Sequence, residues 1–272
     1  MSEIDPDALT QWQSTIGRTE TRCEILELES LRRYAMAVGS DPEIEATQPP
    51  LAHWAFFLPR SEDGEIGHDG HPRRGGFLPP ITLPRRMFAA ADIRFEAPLL
   101  FGETAEMVST IANVAHKTGK AGDLVFVDVD RVISQGGTVR VRERQSYVFR
   151  GMGDLTPLPV PLADPPTGEQ WHPGPAHLFR FSAVTFNSHR IHYDLPYAQS
   201  EEGYPALIVQ GPFTAAKLAG LAGRDGQLAR FSFRAQSPLF LGQSIAFQND
   251  GDELRAVRCD GAIAMTASAS YQ

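Results

Sequence analysis

Residues 94–103 read RFEAPLLFGE and residues 234–243 read RAQSPLFLGQ, so Arg, Pro, Leu and Gly recur at a constant offset of 140 residues. Most other positions are conservative exchanges, such as Glu96 with Gln236 and Glu103 with Gln243. Each copy is followed by strand-like runs. TAEMVSTIANV, DLVFVDVDRVIS and TVRVRERQSYVFR follow the first, with turn signals at Lys120-Ala121-Gly122 and Gly136-Gly137. QSIAFQN, ELRAVRCD and AIAMTASASYQ follow the second, separated by Asp250-Gly251 and Asp260-Gly261. Alternating runs bounded by Gly-containing turns predict antiparallel strands with one wet face. The period is too long for a solenoid, and it predicts two copies of one α+β unit in tandem.

Each copy carries a helix candidate before its strands. LESLRRYAMAVGSDP (28–42) has Leu28, Leu31, Tyr34, Ala35 and Val38 at helical spacing and stops at Gly39 and Pro42. VQGPFTAAKLAGLAG (209–223) is rich in Ala and Leu, with Pro212 suited to the first turn and Gly223 to the end. A long apolar helix followed by a curved antiparallel sheet predicts a helix wrapped by that sheet. Between the copies, residues 151–175 hold seven prolines, which predicts an extended linker between a first unit at 1–150 and a second at 176–272.

Composition excludes several function classes. The net charge of −8 disfavours sequence-independent nucleic-acid binding. No run of eighteen apolar residues offers a membrane span, and the acidic start MSEIDPDALTQW is unlike a secretory signal. Cys23 and Cys259 are far apart with no C-x-x-C spacing, which predicts buried, reduced thiols and a cytoplasmic protein.

The densest chemistry is TFNSHRIHYD, residues 185–194. His192-x-Asp194 has the local spacing of a two-histidine, one-carboxylate iron site, but no histidine follows it to complete the set. His68 and His71, in the Gly-rich GHDGHP, could join only by folding across the halves, and that stretch reads as a flexible loop; no metal is expected. Ser182 and Ser188 lack a nucleophile-elbow context, and no phosphate-binding glycine loop is present. General acid/base chemistry by histidine remains, oriented by a neighbouring amide or carboxylate.

Residues 181–198, FSAVTFNSHRIHYDLPYA, resemble the hydratase motif of the MaoC-like, R-specific enoyl-CoA hydratase family, with Phe181, Val184, Thr185, Ile191, His192, Asp194, Tyr197 and Ala198 on matching positions. The family's catalytic aspartate and histidine fall on Asn187 and His192, and its glycine before the central helix falls on Gly211 of PALIVQGPF. The resemblance implies a double hot-dog fold with one active site, contributed mainly by residues 176–224, and a degenerate first copy. It implies a CoA thioester as substrate, with no cofactor. Two departures stand out: Asn187 replaces the aspartate, and His189-Arg190 replaces an Asn-Pro pair. These variants, with HPRRGGFLPPITLPRRMFAA at 71–90, resemble the subgroup of mitochondrial-type hydroxyacyl-thioester dehydratases and mesaconyl- or itaconyl-CoA hydratases.

On this resemblance His192 is the acid/base group, Asn187 holds water and imidazole because it cannot ionise, and the Gly211 N–H receives the thioester oxygen. Asp194 is a candidate supporting residue or a helix cap. His189 is a candidate supporting residue whose alternative is a bystander on a surface loop. Arg73, Arg74, Arg85 and Arg86 are candidates for binding the CoA phosphates or an acyl carboxylate, against the alternative of solvated pairs. The expected activity is hydration or dehydration of a short enoyl-CoA, with a 3-hydroxyacyl-ACP dehydratase, a hot-dog thioesterase and a non-enzymatic acyl-CoA-binding subunit as the alternatives. A homodimer is the expected assembly.

Overall fold

The computed structural model describes residues 4–41, 43–44, 48–119, 122–153 and 155–272; Pro42, Lys120 and Ala121 of the expected stop and turn signals lie outside the described residues. The elements in chain order are α1 (Pro6–Gln13), β1 (Thr19–Ile25), α2 (Leu28–Val38), β2 (Arg85–Phe95), β3 (Thr104–Gly119), β4 (Gly122–Gln135) and β5 (Thr138–Arg150). Then come β6 (Glu169–Trp171), α3 (Pro175–Val184), α4 (Leu195–Ser200), α5 (Gly211–Ala222), β7 (Leu228–Ala235), β8 (Ile245–Asp250), β9 (Glu253–Arg258) and β10 (Ile263–Tyr271).

All ten strands form one antiparallel sheet in the order β1-β3-β4-β5-β2-β7-β10-β9-β8-β6. Read inward from either edge the order is the same, as two tandem copies require. The joint between β2 and β7 obeys the same symmetry: Ala90 faces Arg234, and adding 140 to one and subtracting it from the other yields the second observed pair, Arg94 with Arg230. The two copies therefore meet about a pseudo-twofold axis through the pair Asp92 and Ser232. The repeated motif itself ends alike in both, with Leu99 and Leu239 buried and Gly102 and Gly242 at positive φ. This is the double hot-dog architecture expected from the sequence.

The second copy is the complete one. Helix α5 is apolar nearly all round, burying Phe213, Ala215, Ala216, Leu218, Ala219 and Ala222 in one core with Phe231, Phe233, Leu254, Ala256, Met265 and Ala267 of the strands. Small residues on the sheet let the helix approach closely. The linker joins this copy earlier than expected, because β6 pairs with β8 at the sheet edge. The second unit thus starts at Glu169 and not at 176.

The first copy differs from expectation in one respect. Helix α2 forms over Leu28–Val38 and ends at Gly39, whose left-handed φ of 74° lets its N–H reach back to the last turn. It follows β1 as α3 follows β6, and the two helices pack together, with Tyr34 and Phe181 rings 6.5 Å apart. Helix α2 is therefore the partner of α3, and among the described residues α5 has no counterpart. Described residues 39–84 form no α-helix, only 3-10 turns at Ala52–Ala55 and Asp63–Glu65 and an isolated β-bridge between Ile66 and Pro72.

That absence explains an odd inner face. Ser109, Arg131 and Glu143 face one another across β3, β4 and β5, with Gln145 on the next rung, where alternation alone would demand core residues. All four line a cleft of about 1220 Å³. The 52–55 turn fills part of the helix's place: Trp54 Nε1 donates to Glu143 Oε1 at 3.0 Å, and His53 Nε2 lies 3.3 Å from the other carboxylate oxygen. Burial would raise the Glu143 pKa, but His53 and Arg131 outweigh it and hold the carboxyl below its ordinary value. No helix among the described residues is long and apolar enough to cross a membrane.

Candidate active site

The cleft brings together the residues singled out in the sequence. His192, Asn187, His189 and Gly211 line it, as do Arg73, Arg74, Arg85 and Arg86. The chain leaves α3 through Phe186, a non-glycine residue at φ 48°, and the Asn187 N–H closes the turn on the Ser182 carbonyl at 2.8 Å. The Asn187 side-chain oxygen accepts the His189 N–H at 3.1 Å, which orients its NH₂ away from the turn. A 3-10 turn over Arg190–His192 then carries His192 into the interior.

His192 Nδ1 lies 2.8 Å from the Ile208 carbonyl oxygen, an acceptor only, so Nδ1 carries the proton and Nε2 keeps its lone pair. Nε2 has no protein partner among the described residues. Burial, with the neighbouring His189 second, pushes the His192 pKa down to about 3, so the ring is neutral at neutral pH. Gly211 opens α5, and the first N–H groups of a helix have no intrahelical acceptor. Pro212, next in line, has no N–H to offer.

Asp194 is engaged structurally. It caps α4 by accepting the Tyr197 N–H at 3.1 Å and binds Arg190 through Nη2 at 2.7 Å.

Two expectations need correction. His189 is not a surface bystander: it is 6% exposed, its Nε2 meets Glu202 Oε1 at 3.0 Å, and its ring stands 5.5 Å from that of His192. The GHDGHP stretch is not a loose loop either. Arg190 donates its backbone N–H to the Asp69 carbonyl at 2.9 Å, Ser188 Oγ donates to the Gly70 carbonyl, and Arg190 Nη1 donates to the His68 carbonyl at 3.1 Å. The first copy thereby reaches across and clamps the histidine stretch of the second, packing His71 against His189 with ring centroids 4.0 Å apart and planes tilted by 43°.

Asp69, His71 and His189 set three ligand-type atoms within 4.8 Å of one another. Each already has a partner: Asp69 Oδ2 meets His71 Nδ1 at 3.2 Å, and His189 meets Glu202. The guanidinium of Arg86 adds positive charge beside them, opposing a further cation. The cluster reads as a hydrogen-bonded scaffold. Sequence reasoning missed Asp69 and Glu202, which only proximity in space connects to the histidines, and gave no role to the motif residue Tyr197, whose hydroxyl donates to Glu202 at 3.3 Å.

Burial and then the Arg86 charge also push the His71 pKa down to about 3. In an unfolded chain both rings would take up protons near pH 6.5. Between about pH 6.5 and 3 the unfolded state therefore binds more protons, and stability falls as the pH falls through that window. Denaturant unfolding from pH 7.5 to 4 is expected to show a loss of a few kcal/mol, and the His71→Gln variant a shallower slope. A slope unchanged by that substitution would mean that His71 is not held neutral.

Tandem hot-dog copies whose shared cleft is lined by a buried histidine and by the start of a central helix define a class of thioester-handling double hot-dog chains. A model of the family "Hydroxyacyl-thioester dehydratase type 2" matches residues 51–241, and the chain belongs to that family. It is similar to the Mesaconyl-C(4)-CoA hydratase of Chloroflexus aurantiacus, at 43% identity over 270 residues, covering 94% of this chain and 96% of that protein. It is 25% identical over 242 residues to the mitochondrial hydroxyacyl-thioester dehydratase type 2 of Schizosaccharomyces pombe, covering 76% and 79% of the two chains. Among solved structures, HtdX of Mycobacterium tuberculosis shares the fold with a TM-score of 0.65 at 19% identity, covering 94% of this chain and all of that one.

Proposed function

We propose that this protein is a hydro-lyase that adds water reversibly across the double bond of a short enoyl-CoA bearing a carboxylate, mesaconyl-C4-CoA or itaconyl-CoA. The observation that carries the reading is the His192 imidazole, fixed through Nδ1 to Ile208 and presenting a bare Nε2 to the cleft beside Asn187 and Gly211. Water held by Asn187 and Nε2 gives up a proton to Nε2 as its oxygen bonds to the β-carbon. The electron pair of the double bond moves toward the thioester oxygen, which is received at the start of α5 by the Gly211 N–H. His192 then returns a proton to the α-carbon, so the ring ends as it began. The imidazolium formed midway, disfavoured in the resting protein, is matched by the enolate's negative charge.

The acyl class is supported by the lining. A long alkyl chain would have to lie against Ser109, Arg131, Glu143 and Gln145, displacing water from polar surface without replacing its hydrogen bonds. A short, charged acyl group leaves them solvated or bonded.

The test follows the enoyl-thioester absorbance with mesaconyl-C4-, itaconyl- and crotonyl-CoA. The expected result is faster loss with a carboxylate-bearing substrate than with crotonyl-CoA. Free CoA released without hydration would replace this reading by a thioesterase.

A further inference from the structure

We propose that Arg86 is the residue that reads the acyl carboxylate, a selectivity role resting on the enoyl-thioester reading above. Four arginines lie on the loop and strand beside the cleft, and the structure separates them by what their guanidinium groups already bind. Arg73 is exposed. Arg74 donates to the carbonyls of Ile81, Leu83 and Pro84 and covers the Phe149 ring at 5.4 Å. Arg85 is buried, donates to the Glu202 carbonyl and lies over the Tyr204 ring at 4.9 Å. These two hold the fold together and have little capacity left for a ligand.

Arg86 is the exception. Its side chain makes no hydrogen bond and no ion pair within 4.0 Å among the described residues, although it is partly buried and lines the cleft. Burial lowers its pKa, with Asp69 the leading opposing charge, so the cation is only partly compensated. Five N–H donors without an acceptor, facing a cavity, are completed by a planar anion.

The location fits a carboxylate on the far side of a short enoyl unit. Arg86 and Phe88 are two residues apart on β2, and the Phe88 carbonyl flanks Gly211, 3.6 Å from where a Cβ would stand. Two residues of strand span about 7 Å. Arg86 thus lies on the same strand and the same cleft as the residue that flanks Gly211, on the scale of a short enoyl unit with a carboxylate at its far end. On the other side Arg86 acts on His71, which packs against His189 next to His192. Both neighbouring rings with lowered pKa values are neutral and add no positive charge beside Arg86.

The decisive measurement is a selectivity ratio: kcat/KM for mesaconyl-C4-CoA divided by kcat/KM for crotonyl-CoA, in the wild type, Arg86→Met and Arg86→Lys. Arg86→Met is expected to lower the ratio by about a hundredfold, the worth of a charge-assisted bidentate contact, and Arg86→Lys by less. A ratio within about threefold of wild type in either variant, even with both rates reduced together as for a CoA-phosphate contact, overturns the proposal. If Arg86→Met does not fold, Arg86→Lys decides alone, because losing the planar fork must still move the ratio. If the wild type hydrates neither thioester, the hydratase reading fails separately. The ratio of dissociation constants for the same two thioesters, measured calorimetrically, then tests Arg86 without turnover: a ratio moved by substitution supports it, and an unmoved one overturns it.

Discussion

His192→Ala is expected to lower kcat/KM for the enoyl thioester by a hundredfold or more, since positioned proton transfer by a side chain contributes about that much. The ring is the group that combines a bare nitrogen facing the cleft with a proton fixed on the other nitrogen by the Ile208 carbonyl. Asn187, lacking an ionisable group, cannot take over the transfer. His192→Gln separates chemistry from packing, because it keeps a donor for the Ile208 carbonyl but has no basic nitrogen. His192→Gln should unfold near the wild-type temperature, and both variants should lose activity alike. Wild-type turnover by either one would remove His192 from the proton path.

The second large effect is expected far from the histidines in sequence. Gly70 has φ +85°, and a Cβ built there would stand 2.0 Å from the Ser188 carbonyl oxygen. The obstacle is backbone, so no side-chain rotation relieves it, and the conformation itself disfavours any L-residue. Gly70→Ala should therefore break the clamp between residues 66–72 and the stretch 188–192, at a cost of about 3 kcal/mol or more. The predicted signature is joint: lower thermal stability and a fall in kcat, since His189 and His192 lose their support. Gly102→Ala is a useful contrast, because its φ of +77° imposes the same backbone strain with nothing within 4 Å. If Gly70→Ala were no worse than Gly102→Ala, the close approach would carry no weight.

How much of this was legible in the sequence depends on the range of the interaction. The tandem repeat was legible because strand alternation, Gly-containing turns and the offset of 140 are local signals, and the ladders follow them closely. The missing helix was not. LESLRRYAMAV has sound helical spacing and does form a helix, but periodicity cannot say whether it occupies the place of α3 or of α5. The same limit applied to His189. Its burial depends on Glu202 and on His71, the latter more than a hundred residues away, so the residue looked like part of an exposed loop. The arginines show the limit most sharply. Sequence locates four positive charges, yet whether a guanidinium is free depends on carbonyls supplied by the folded Pro-rich loop and, for Arg85, by Glu202 of the other copy.

The helix absent from the first copy has a consequence for how such a chain can change. In the second copy the space under the sheet is filled by α5, whose start also holds Gly211, so that half is committed to catalysis and has little freedom in size or polarity. In the first copy the equivalent space is open and walled by Ser109, Arg131, Glu143 and Gln145, none of which belongs to the proton path. On the proposed roles, acyl preference and chemistry are thus written on different halves of one duplication. New substrates can be reached by repainting strands β3, β4 and β5 while the histidine stretch stays as it is.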